Sequence, residues 1–146
     1  MKFFDKKYKA LAEQIKEKAF REGFSTNEIS NTTLKGLTAI TKSKKALYLS
    51  QVAFYKGKLF GIKKTIPLNN KRKNIVLFEK VLIEALNNNV LESQARNYET
   101  LNDLTSKTYS SRYMKIATLY YYRGILNGIE YVDKSLNNIS NSKIEY

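Results

Sequence analysis

Apolar residues recur at three- and four-residue steps along most of the chain, and this pattern predicts an all-α protein. Over 2–23, Phe4, Tyr8, Leu11, Ala12, Ile15, Ala19 and Phe20 form one stripe among Lys and Glu. Glu13 with Lys16, and Glu17 with Arg21, stand at ion-pair spacing, and Gly23 is a natural stop. Ser25 and Glu28 then fit a capping box, opening a short helix through Ile29, Thr33, Leu37 and Ile40. Ser43 caps a third helix over 44–63 that is apolar around most of its circumference, so it is expected to lie centrally. Pro67 and the paired Asn69-Asn70 break the pattern over 64–73. Helices are then expected over 74–87, over 91–107, and from Ser110 or Ser111 past Val132, with a polar tail from 137 that frays.

A phrase within this pattern occurs twice. Phe54-Tyr55-Lys56-Gly57-Lys58-Leu59-Phe60-Gly61-Ile62 is matched 67 positions later by Tyr121-Tyr122-Arg123-Gly124-Ile125-Leu126-Asn127-Gly128-Ile129. Between 33–62 and 100–129, eleven of thirty residues are identical without a gap, where ordinary composition would give about two. One residue of slippage extends the match upstream, pairing Leu11 with Leu77 and Ala19 with Ala85. The expected architecture is therefore a duplicated three-helix unit, about six helices in one domain with a pseudo-two-fold. The units are 1–66 and 67–136, followed by the tail 137–146. Glycine inside a helix costs up to about 1 kcal/mol relative to alanine, so Gly57, Gly61, Gly124 and Gly128 call for a compensating close approach of two helices. The Gly-x-x-x-Gly spacing matches neither a P-loop nor a dinucleotide fingerprint, which leaves packing as their role.

Composition then narrows the chemistry. The 146 residues suffice for one domain with a hydrophobic core. Without cysteine or histidine, thiolate nucleophiles, Cys-ligated zinc and the commonest general base are excluded. The carboxylates form no histidine-completed cluster, and the serines lie in caps and the tail, so neither an enzyme nor a cofactor nor a metal is expected. An all-carboxylate magnesium site is the less favoured use of the glutamates. The charged N-terminus and the lack of a long apolar run point to a cytoplasmic protein with no membrane partner.

The net charge is +13, from 26 basic and 13 acidic residues. That suits a nucleic-acid partner, DNA or RNA, bound mainly through phosphates. Only five of the cations are arginines, so codon bias towards lysine competes as an explanation. The candidate contacts are Lys44, Lys45, Lys63, Lys64, Lys71, Arg72, Lys73, Arg112 and Lys115. To these are added the repeated pairs Tyr55-Lys56 and Tyr122-Arg123, in which rings would stack on bases beside cations. Lys44, Tyr48, Gln51, Tyr55 and Lys58 fall on one helical stripe, and the basic stretch from 42 to 73 is the expected focus. The alternative partner is a protein, docked on a tyrosine-rich helical face by an adaptor or inhibitor of a phage, plasmid or other mobile element. An exposed apolar face would instead serve a homodimer.

Overall fold

Gly23 takes φ +98°, the left-handed conformation that lets a helix end in a tight reversal. There the Phe24 N–H donates to the Ala19 carbonyl at 3.2 Å and the Gly23 N–H to Phe20 at 3.0 Å. This closes the first helix, α1 (Lys2–Arg21). The structure, a computed structural model, describes the backbone at 2–35, 37, 43–65, 71–88, 90–96 and 111–144. Side chains are described at 9–35, 37, 43–65, 76–88, 90, 91, 93–96 and 111–134. Among these residues all regular structure is helical, and the helices form one compact domain.

The capping box opens α2 (Thr26–Ser30): Ser25 Oγ accepts from the Glu28 N–H at 3.2 Å, and Glu28 Oε1 accepts from the Ser25 N–H at 2.9 Å. This helix stops well short of residue 40. The Asn31 carboxamide oxygen accepts from both the backbone and the hydroxyl of Thr33, at 3.1 and 2.6 Å, and so offers the chain a turn in place of another helical turn. The expected continuation through 36 and 38–42 lies outside the described residues.

Ser43 caps α3 (Lys44–Thr65), its hydroxyl accepting from the Ala46 N–H at 3.3 Å. The next helix, α4 (Lys71–Asn87), starts three residues earlier than the apolar pattern predicts and takes Lys71, Arg72 and Lys73 into its first turn. A short α5 (Glu92–Arg96) follows, and the rest of the expected helix, 97–110, lies outside the described residues. The last helix, α6 (Ser111–Ile144), runs through most of the tail expected to fray. No glycine or proline after Gly128 interrupts it.

α3 and α6 cross at their glycines. A Cβ built on Gly57 would overlap the Tyr121 carbonyl oxygen, and one on Gly124 the Phe54 carbonyl oxygen. Four residues on, Gly61 meets Ile125 and Gly128 meets Lys58 and Ile62. The contacts advance together along both helices, so the two run parallel. The contact is made backbone to backbone, and it accounts for helical glycine at these positions.

The flanking helices cover what remains. α1 and α2 pack on α6, while α4 and α5 pack on α3. Contacts pair Lys58 with Glu84 and Tyr55 with Asn88, so α4 runs back antiparallel along α3. Every residue from Val52 to Leu59 is buried, which leaves the middle of α3 no solvent face. Leu59, Ile62, Ile129 and Val132 are among the fully buried side chains, each contributing about 1.5–3 kcal/mol by leaving water.

Candidate nucleic-acid interface

The repeated tyrosine-cation pairs are not on the surface. Tyr55 is 2% exposed, Lys56 1%, Tyr122 5% and Arg123 6%. One side of each long helix is taken by the glycine crossing and the other by a flanking helix, so these rings have no open face for a base. The expected surface role of these four residues is therefore corrected to an interior one. The stripe from Lys44 to Lys58 is likewise not one open face, because Tyr55 and Lys58 are both enclosed.

The buried tyrosines and cations are engaged, whereas the buried Ser50 hydroxyl has no hydrogen-bond partner among the described residues. Arg123 Nε donates to the Glu28 carbonyl at 2.8 Å, and its guanidinium lies 4.7 Å from the centre of the Tyr120 ring. The Tyr122 ring stands 6.1 Å from that of Phe24. Asn88 Nδ2 donates to the Tyr55 hydroxyl at 3.0 Å, and Lys58 Nζ pairs with Glu84 Oε2 at 3.3 Å while lying 5.1 Å from the Tyr131 ring centre. Lys56 is also engaged with neighbouring groups. The Tyr48 hydroxyl donates to Gln94 Oε1 at 2.7 Å.

This enclosure has a consequence for titration. Burial pushes the Tyr55 phenol well above its ordinary range, with the charge and hydrogen bond of Glu84 adding to it. Burial does the same at Tyr122, with Glu22 adding. An unfolded tyrosine ionises near pH 10. The stability tied to these phenols is therefore fully present below about pH 10 and is lost as the pH rises towards their folded values. Denaturation midpoints measured across the alkaline range are expected to fall less steeply for Tyr55→Phe and Tyr122→Phe than for the parent chain.

The exposed cations collect elsewhere. Because α3 and α6 run parallel, Lys44 and Lys45 share one end of the molecule with Arg112 and Lys115, all four exposed. Among the described residues, none of the four makes an ion pair. Lys115 acts on the Glu28 carboxylate. The backbone N–H of Ser25 holds that carboxyl below the usual range, with the Ser25 side chain, Lys115 and Arg123 adding to the effect.

Lys63 and Lys64 are exposed at the opposite end of α3, where α4 begins with Lys71, Arg72 and Lys73. The side chains of those three lie outside the described residues. At 1.5 Å per residue, Lys44 and Lys63 are about 30 Å apart along α3. The basic stretch from 42 to 73 is thus divided between two ends of the molecule. Exposed Lys134 on α6 falls at the second end and was not singled out from sequence. The 67-residue spacing places it just past the end of α3, and that signal would have found it.

Among the described residues there is no group of three side chains able to hold a metal ion, and no helix is long and apolar enough to cross a membrane. No protein-family model, curated protein or solved structure matches the chain.

Proposed function

We propose that this is a non-enzymatic nucleic-acid-binding protein that acts through phosphate contacts made at its two basic ends. The observation that carries this reading is the set of exposed cations that make no ion pair among the described residues: Lys44, Lys45, Arg112 and Lys115 at one end, Lys63 and Lys134 at the other. They belong to a chain with twice as many basic as acidic residues. Lysine delivers charge without bidentate base recognition, so the expected binding has little sequence preference. The test is equilibrium binding of generic DNA and RNA over a salt series. Affinity is expected to fall steeply with salt, and affinity indifferent to salt would remove the reading.

We further infer that the two ends arose together, by duplication of one unit about a pseudo-two-fold. Reciprocal contacts support this. Gly57 faces Tyr121 and Ile125, while Gly124 faces Phe54 and Lys58, the residues 67 positions away. With the one-residue slippage, the bond from Phe24 N to Ala19 O recurs from Val90 to Ala85, and that from Ile29 to Ser25 recurs from Ala95 to Leu91. Each unit then lays its first helices on the other unit's long helix.

A second reading, a protein-docking module, is favoured by one feature. Val76, Ile83 and Leu86 form an exposed apolar stripe on α4, with exposed Leu91 beyond it. A protein partner would sit there, since Tyr55 and Tyr122 are enclosed. Copurification of a protein that survives nuclease treatment would favour it.

A further inference from the structure

The charges of this molecule are sorted by position. Four ion pairs lie on or against the flanking helices: Glu13 with Lys16, Glu17 with Arg21, Glu79 with Arg96 and Glu84 with Lys58. The described part of α1 and α4 with α5 alternates in sign, with Glu13, Glu17, Glu22, Glu79 and Glu84 against Lys9, Lys16, Lys18, Arg21, Lys80 and Arg96. The two ends carry more cations than carboxylates. One carries Lys44, Lys45, Arg112 and Lys115, the last of these close enough to act on the Glu28 carboxylate. The other carries Lys63, Lys64 and Lys134 with the first turn of α4, against Glu130 and Asp133.

Two quantities decide what this sorting does. The ends are separated by about 30 Å along α3. The screening length at physiological salt is about 8 Å. Several screening lengths therefore lie between the two clusters, and each attracts phosphate independently of the other. A single strand or duplex running along the flanks between them would meet carboxylates and, on α4, the exposed apolar side chains Val76 and Ile83. A second segment meets no such obstacle.

We propose that one molecule of this protein bridges two separate nucleic-acid segments, one held at each basic end. The proposal rests on the phosphate-binding reading and adds to it that the binding is two-sided. The function is then to hold duplexes together or to close a loop between distant parts of one molecule.

The test uses the full-length chain with two generic DNA duplexes, one immobilised on beads and one fluorescent, and limiting protein. The wild-type protein is expected to bind the labelled duplex in solution and to retain it on the beads through the immobilised one. The variant K44Q/K45Q/R112Q/K115Q, and separately K63Q/K64Q/K71Q/R72Q/K73Q, should still bind the labelled duplex alone but lose its retention. Circular dichroism checks that each variant is folded. Wild-type protein that binds but retains nothing overturns the bridging inference and leaves the phosphate-binding reading standing. Retention that survives in either variant also overturns it, because self-association would then be making the bridge. No binding of either duplex overturns both.

Discussion

Replacing Gly57 and Gly124 by alanine is expected to destabilise the protein strongly, and to do so less than additively. A Cβ at either position runs into a backbone carbonyl of the facing helix, Tyr121 in one case and Phe54 in the other. A backbone carbonyl cannot rotate aside as a side chain can, so the two helices must move apart. Overpacking of this kind costs about 1–3 kcal/mol and occasionally more, while alanine returns up to about 1 kcal/mol of helix propensity. Because α1 and α4 lie against the same two helices, the separation disturbs their packing as well. We expect each single variant to lose about 2 kcal/mol, or roughly 6–8 °C in melting temperature for a chain of this size. The second alanine then enters a seam that the first has opened, so the double variant should lose less than the sum. Gly23→Ala is the control. It meets no neighbour within 4 Å but must hold φ +98°, and its cost of about 1 kcal/mol should add independently. Thermal melts of the five chains give both the sizes and the coupling.

Arg123→Ala is expected to cost about 2–4 kcal/mol in chemical denaturation while leaving nucleic-acid affinity of the folded protein unchanged. The side chain is buried, its Nε–H is the donor for the Glu28 carbonyl, and its guanidinium covers the Tyr120 ring. Truncation leaves a carbonyl without that donor and opens a void beside Tyr120. Arg123→Lys should fall between the two, since an ammonium retains the charge but not the planar contact with the ring. A loss of affinity in the folded variant comparable to that from the exposed cations would return Arg123 to the surface role its sequence context suggests.

That contrast shows what the sequence disclosed about this molecule. The helices and the reason for the glycines were legible because both depend on local spacing. A capping box is read within four residues, and an apolar stripe within two turns. The burial of Tyr55, Lys56, Tyr122 and Arg123 was not legible from either. It depends on α4 folding back along α3 and on α1 covering α6, contacts between residues tens of positions apart. The high lysine and tyrosine content of α3 conceals how fully enclosed it is, because long side chains carry polar tips on apolar stems. The division of the basic stretch followed from helix length alone: a rod of 22 residues cannot keep Lys44 and Lys63 on one patch. α2 is shorter than the apolar pattern suggests for a different reason, since the Asn31 side chain supplies a turn that competes with the helix.

On the proposed reading, exposed cations at the ends, and not the buried tyrosine-cation pairs, contact phosphate. The measurement that tests it most directly is the slope of log affinity against log salt for a generic duplex, in the parent chain and in variants. The slope should lie near −0.9 for each phosphate neutralised, and neutralising both ends should flatten it by about 0.9 for each contact removed. Arg123→Lys should leave it unchanged. A slope near zero in the parent chain, or one indifferent to neutralising both ends, would mean that these cations do not hold phosphate.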